Sequence, residues 1–379
     1  MYLLLAAHAD GAALQELTAD GVPEPSNPEP RVVSAGNLPG VVRGLEERHP
    51  RWIWHRTQDW YPALLRAGVE LERCYDLTLC GAILAHSEFT AHTGYAQAAE
   101  KLTQDEELNQ PPRALQPPPP PPEQGALFDA PAPGQRPGQS LENLRAEYAA
   151  QQEALRQAGT GTGTGTAAGP ATPTPIAGDA TRRQRLQLLL AAESAGAMIA
   201  AEMQHAGVPW RAELHEQILA EQLGPRPAPG QRPAKLESLT AELRQLLQSP
   251  GLNPDSPQEL MRALHRNGIE VKTTRQWELK ESSHPAIVPL LAYKKLARLH
   301  TANGWTWLDT WVKDGRFQPE YVVGGVVSGR WASRGGGALQ IPRQVRGAVH
   351  ADPGHKLIVA DASQLEPRVL VALAQDSKM

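Results

Sequence analysis

Lys356-Leu357-Ile358-Val359-Ala360-Asp361, followed without a break by Ala362-Ser363-Gln364-Leu365-Glu366-Pro367-Arg368-Val369-Leu370, carries the densest signal in this chain of 379 residues. An apolar run that ends on a carboxylate reads as a buried strand, and Leu365, Val369 and Leu373 at helical spacing read as the core face of a helix. The junction would hold the Asp361 carboxylate rigidly at a sheet edge, within reach of a hard cation such as Mg²⁺. Taken alone, Asp361 suits helix capping better than metal binding, and Ser363 with Glu366 spells an S-x-x-E capping box. Pro367 is compatible with a first helical turn.

Working upstream, nine basic residues stand against three acidic ones between Lys294 and Arg346, within a chain whose net charge is −4. A local basic excess of that kind is a footprint for a phosphate backbone, and the overall charge excludes a uniformly basic binder. The composition is 41% hydrophobic and 21% charged. No apolar run reads as long enough to cross a bilayer, and the apolar Tyr2–Ala7 stretch lacks the basic flank of a secretory signal. Cys74 and Cys80 are too few for a disulfide framework or a four-ligand zinc site, which fits a reducing cytoplasm.

The length suggests two or three domains. Tyr2–Ala7 and Ala12–Leu17 flank Asp10-Gly11 as a hairpin, Arg31–Ala35 and Trp52–Trp54 read as strands, and Val41–Glu47, Trp60–Ala67 and Leu77–Ala85 as helical or amphipathic segments. From 105 to 181 the chain is proline- and glycine-rich, with Pro117–Pro122 unbroken, and cannot bury enough apolar surface to offset chain entropy. We expect a disordered linker there, interrupted by one helical island, Leu141–Gln157. A helix through Leu186, Leu189, Leu190, Ala197, Ala200 and Met203 ends at Gly207 and Pro209. Further helices are expected over Arg211–Gln222, Leu236–Gln248, Ser256–Asn267 and Pro285–Trp305, with strands and loops from Tyr321.

The stretch around Asp361 resembles motif A of the family A DNA polymerases, D-Y-S-Q-I-E-L-R. Other elements of that family follow in order. Asn253-Pro254-Asp255-Ser256-Pro257-Gln258-Glu259-Leu260 resembles a thumb signature, and Tyr293-Lys294-Lys295-Leu296-Ala297-Arg298-Leu299 a thumb helix. Ser328-Gly329-Arg330 is similar to a T-G-R element, and Leu339-Gln340-Ile341-Pro342 to L-Q-N-I-P with one residue missing. More weakly, Asp59 and Tyr75-Asp76-Leu77-Thr78-Leu79 resemble the second motif of the family's 3′-5′ exonuclease, and Tyr148-Ala149-Ala150-Gln151-Gln152 its third, with Gln152 in the acid's place. No D-x-E pair occurs in the first hundred residues, so a two-metal exonuclease lacks its first ligands.

The resemblance implies an α+β multidomain chain of the actinobacterial bifunctional polymerase type. Residues 1–104 would form a degenerate RNase H-like exonuclease domain, 105–181 the linker, 182–315 a mostly helical thumb, and 316–379 the start of an antiparallel-sheet palm. It implies a nucleotidyl transfer from dNTP to a primer 3′-hydroxyl on two Mg²⁺ ions, with Asp361 as a metal ligand and Gln364 and Glu366 at the incoming nucleotide. Primer–template DNA would be held by Arg330, Gln340, Arg343, Arg346, Lys294, Lys295 and Arg298. Gln124, Leu127 and Phe128 resemble a Q-x-x-L-F peptide that docks on a bacterial sliding clamp. The family's fingers helix and H-D-E turn do not occur by Met379, so the chain is expected to be an incomplete polymerase, inactive as given. A non-catalytic DNA-binding or clamp-docking protein and an active 3′-5′ exonuclease are the alternatives.

Overall fold

The computed structural model describes residues 1–99, 140–158, 179–326, 328–334, 337 and 341–375. They form two compact units, one of residues 1–207 with 318–335, the other of 208–317 with 336–379.

The first unit is built on a mixed sheet of β1 (Tyr2–His8), β2 (Gly11–Leu17), β3 (Arg31–Ser34), β4 (Arg51–Trp54) and β5 (Cys74–Asp76), in the order β3-β2-β1-β4-β5. β1 pairs antiparallel with β2 and parallel with β4, which pairs parallel with β5. At the hairpin Gly11 has φ +137°. A Cβ there would collide with the Val33 carbonyl oxygen, so only glycine lets β3 close on β2. Strand alternation sends Leu3, Leu5, Trp52 and Trp54 into one core and Leu4, Ala6 and Ile53 into another. The first core takes α1 (Leu38–Glu46) and α2 (Thr57–Arg66); the second takes α3 (Leu77–His86) and α4 (Leu141–Gln157).

Leu141–Gln157 is therefore part of the first unit's packing, not an island in a linker: Leu144, Tyr148, Ala154 and Leu155 are buried. The next helix, α5 (Asp179–Ala206), runs along the same unit. It gives Leu186 and Leu190 to one core and Met198 and Ala201 to the other, and its Ser194 hydroxyl accepts the Asp76 backbone N–H of edge strand β5 at 3.2 Å. A helix laid along an edge strand blocks further strand pairing there. Within it, Thr181–Ala206 is long and apolar enough to cross a membrane by length and composition, contrary to the sequence reading. Contact with both cores accounts for part of that apolarity, while Leu188, Leu189, Ile199 and Met203 stay exposed. Gly207, at φ +64°, ends the helix where expected, as a residue free to adopt the left-handed region does.

The second unit is mainly helical: α6 (Ala212–Leu223), α7 (Ala234–Leu246), α8 (Pro257–Arg266), α9 (Gln276–Leu279), α10 (Ile287–Asn303) and α11 (Trp305–Trp311). A small sheet of β6 (Val208–Pro209), β7 (Val312–Lys313) and β8 (Arg316–Phe317) closes one side. Its core joins Trp210, Trp307 and Phe317 around a buried His215. The Trp210 indole N–H meets His215 Nδ1 at 3.3 Å, and His215 Nε2 lies 2.9 Å from the Asn303 carbonyl. An indole N–H only donates, so Nδ1 accepts, and Nε2 carries the proton and donates to Asn303. Burial holds this imidazole below its ordinary pKa of 6.5, against the smaller pull of the Asn303 carbonyl. Its depressed pKa contributes stability that is complete above about pH 6.5 and is lost as pH falls through the folded value. Thermal unfolding followed from about pH 7.5 to about pH 5.5 should show a fall in Tm that His215→Gln flattens; parallel curves for the two proteins would refute this role.

Three expectations at the C-terminal end are corrected. Lys356–Asp361 is not a strand: it is irregular and open to solvent, with Ile358 93% and Val359 91% exposed. No strand among the described residues pairs with it, so its backbone groups have no ladder partner and are left to water. An antiparallel pair does occur upstream, β9 (Glu320–Val322) with β10 (Ala332–Arg334), in the first unit. The final helix, α12 (Leu365–Ala374), starts after Gln364 in a left-handed conformation and has no side-chain cap, so the Ser363–Glu366 capping box does not form. Leu365, Val369 and Leu373 are exposed, not core, because no described element lies over them.

Candidate nucleic-acid interface

The second unit's site is built on α10. Ile287, Leu290, Tyr293 and Leu299 turn one face into the core, which leaves Lys295 and Arg298, three residues apart, outside that face. Two of the family-like motifs meet here. Ser256 caps α8 by accepting the Glu259 N–H at 3.4 Å, and the Asn253 side chain accepts the Asp255 N–H at 3.1 Å, which shapes the turn before it. The Tyr293 hydroxyl then donates to Asp255 at 2.7 Å, while Arg232 donates to Asp255 at 2.9 Å and to the Tyr293 oxygen. This three-way contact ties α10 to the entrance of α8, so the motif residues Asp255 and Tyr293 act as structural joints.

Along α10 runs an open cleft of about 660 Å³, with Lys294, Lys295, Arg298 and Leu291 on one side, Gln276 of α9 on another, and Pro342 and Gln344 facing them. Its lining mixes the apolar Leu291, Leu299 and Pro342 with the cations of α10. The 342–344 wall is anchored by Val345 and Ala348, both fully buried, and Arg343 and Arg346 flank it; Arg346 Nε donates to the Ile341 carbonyl at 3.0 Å. Lys294 differs from its neighbours. Its ammonium donates to the Thr274 carbonyl and, at 2.8 Å, to the Thr274 hydroxyl, and burial lowers its pKa. Lys294 thus pins the 272–276 loop to α10, while Lys295 and Arg298 are the cations presented to a ligand.

The remaining sequence candidates are not gathered at this cleft. Arg330 is exposed in the connection between β9 and β10 and belongs to the first unit. Asp361, Gln364 and Glu366 lie on the exposed C-terminal stretch. Gln340, and Gln124, Leu127 and Phe128, fall outside the described residues.

In the first unit, Asp59 sits in the first turn of α2, where its carboxylate accepts Arg56 Nη2 at 2.7 Å and lies 3.3 Å from His55 Nδ1. Burial pushes this carboxyl up, but the hydrogen bonds from His55 and Arg56 outweigh it and hold the pKa below the ordinary value. Asp76 is buried at the N-cap of α3 and accepts the Thr57 N–H (2.7 Å), the Thr57 hydroxyl (2.8 Å) and the Leu79 N–H (3.0 Å). Here burial prevails over those donors and raises the pKa. Tyr148 packs edge-on to Tyr75 with ring centroids 5.1 Å apart, and Gln152 is half-buried on α4. A small cavity of about 360 Å³ lined by His55, Thr78, Asn143 and Glu147 opens beside them. Among the described residues, no group of three or more His, Cys, Asp or Glu could hold a metal ion.

Sequence reasoning missed Arg232, Thr274 and Trp277. Arg232 lies in a proline-rich turn 61 residues from the tyrosine it contacts, so nothing local marks it. Trp277 did leave a signal: a lone indole in the polar stretch Arg275–Ser283.

No protein-family model matches the chain. Over 102 residues it is 31% identical to DNA polymerase I of Treponema pallidum (strain Nichols), an alignment covering 25% of this chain and 10% of that protein. Among solved structures, the POL domain of Pol1 from M. smegmatis in complex with DNA primer-template and dNTP matches with a TM-score of 0.57 at 17% identity, over 99% of this chain and 59% of that one. At that identity the likeness shows the fold. The chain thus spans a tenth of the curated relative's length and under two thirds of the solved neighbour's.

Proposed function

We propose that this chain, similar over 102 residues to DNA polymerase I and in fold to a Pol1 polymerase domain, is a relative of the family A polymerases and binds primer–template DNA in the basic cleft of the second unit, as part of template-directed DNA synthesis. The carrying observation is the α10 face: Lys295 and Arg298 project from a helix fixed by Tyr293, Asp255 and Arg232, over a cleft rimmed by cations. Such contacts go to phosphates and position a duplex without reading its sequence. Arg343 and Arg346 extend the same surface, and Arg330 and Gln340 are proposed as further DNA contacts.

On this reading the residues around α7 to α11 serve as a thumb, and the 318–375 stretch supplies part of a palm. The five-stranded part of the first unit is a degenerate RNase H-like exonuclease domain, supported by its strand order and by helices on both faces. Its Asp59 is engaged by Arg56 and His55, which favours a scaffold over an active nuclease. Clamp docking through Gln124, Leu127 and Phe128 stands as a proposal on the sequence alone.

Mg²⁺ fits this structure poorly. A two-ion site needs several converging carboxylates. Asp361 offers a single exposed one and no acidic cluster gathers among the described residues, so we assign no catalytic step to them. Gln364 and Glu366 are proposed at the incoming nucleotide, and Asp361 as a metal ligand on the motif resemblance alone.

The test is fluorescence anisotropy with a labelled primer–template. Saturable binding at low salt that weakens as salt rises is expected, through counterion release; a flat titration at low salt would remove the proposal.

A further inference from the structure

Trp277 is out of keeping with the other tryptophans of this chain. Trp52, Trp54, Trp210, Trp305 and Trp307 are buried and Trp60, Trp311 and Trp331 half-buried, whereas Trp277 is 61% exposed. It stands on α9, one residue beyond Gln276, which lines the basic cleft. The support beneath it is fixed on several sides. Leu279 is fully buried and anchors the short helix. The Glu278 carboxylate accepts the Thr273 N–H at 2.9 Å and its hydroxyl at 2.5 Å, with a further hydrogen bond from the Lys272 N–H. Lys294 ties Thr274 to α10. An indole on so constrained a platform loses little conformational freedom on binding.

The surroundings select the occupant. Lys272, Arg275 and Lys280 flank the indole in sequence, and Lys295 and Arg298 rim the cleft beside Gln276. A flat aromatic surface beside a line of cations matches a polyanion that carries its own aromatic faces. Bases within a duplex have those faces covered by their neighbours, while an unpaired base leaves one open. Resting on the reading of this cleft as a primer–template site, we propose that Trp277 stacks on an unpaired base of a single-stranded stretch next to the duplex, whose phosphates lie along Lys295 and Arg298. A protein partner would also accept an exposed tryptophan, but the cationic border favours nucleic acid.

The experiment compares wild type, Trp277→Ala and Trp277→Phe by anisotropy on two probes, a blunt duplex and the same duplex with a single-stranded template overhang. Trp277→Ala should weaken binding of the overhang probe by about five- to a hundred-fold, as expected for losing one stacked base. Trp277→Phe should recover most of that loss, the blunt duplex should bind all three proteins alike, and the dependence on salt should not change, because stacking releases no counterions. Equal affinities of wild type and Trp277→Ala for the overhang probe would overturn the inference, as would equal losses on both probes. A change in sedimentation of the protein alone, with DNA binding intact, would overturn it in favour of a protein–protein contact. Failure of the wild type to bind either probe would refute the cleft assignment itself, an outcome distinct from these.

Discussion

Asp76→Ala should destabilise the first unit by about 3 kcal/mol or more, from a lost helix cap of about 1 kcal/mol and buried donors left without an acceptor at about 1–3 kcal/mol each. The carboxylate holds the Thr57 N–H and hydroxyl together with the Leu79 N–H, at the junction of β5, α2 and α3. Thr57 in turn accepts the Trp54 indole N–H at 3.0 Å, so the disturbance reaches the tryptophan pair of the sheet. Asp76→Asn keeps an acceptor oxygen and should lose less than half as much. Urea unfolding followed by tryptophan fluorescence measures both. A loss below about 1 kcal/mol for Asp76→Ala would contradict the capping role.

Tyr293→Ala should cost the second unit about 3–5 kcal/mol, the range for truncating a buried aromatic ring. Tyr293 is 1% exposed, and its removal also strips Asp255 and Arg232 of their shared partner. Tyr293→Phe keeps the ring and loses only hydrogen bonds at a partly exposed edge, for about 1 kcal/mol. The pair separates packing from polarity. If DNA binding depends on the set of α10, the phenylalanine variant, folded but loosened at the α8 entrance, should bind primer–template more weakly than wild type, though it removes no charge. Equal stability losses in the two variants would show that the hydroxyl network, and not the ring, holds the helix.

Much of this architecture was legible in the chain. The Asp10-Gly11 hairpin, the Trp52–Trp54 strand and the Ser256-Pro257 helix start follow from local rules, because turn chemistry, alternation and capping act within a few residues. β5 was not legible: its three residues carry no period, and part of what buries them is α5, over a hundred residues later. The Leu141–Gln157 helix was seen, yet its place in the first unit's core was hidden by the biased composition around it. The Lys356–Asp361 strand failed for a complementary reason. Its sequence suits a strand, but strand formation depends on a neighbour that the described residues do not supply. At the cleft, Lys295 and Arg298 were legible as candidate cations, and both are exposed on α10. The pairing of Lys294 with Thr274 could not be read, since it joins α10 to a loop 20 residues away.

The central claim is that the cations of α10 grip a DNA backbone, and the salt dependence of duplex binding tests it most directly. Affinity of wild type and of Lys295→Ala/Arg298→Ala is measured for one primer–template from about 50 to about 300 mM salt, the range over which counterion release dominates. Each phosphate contact contributes about 0.9 to the slope of log K against log salt, so the double variant should be shallower by roughly 2 and weaker on every sequence. Superimposable lines for the two proteins would contradict the account.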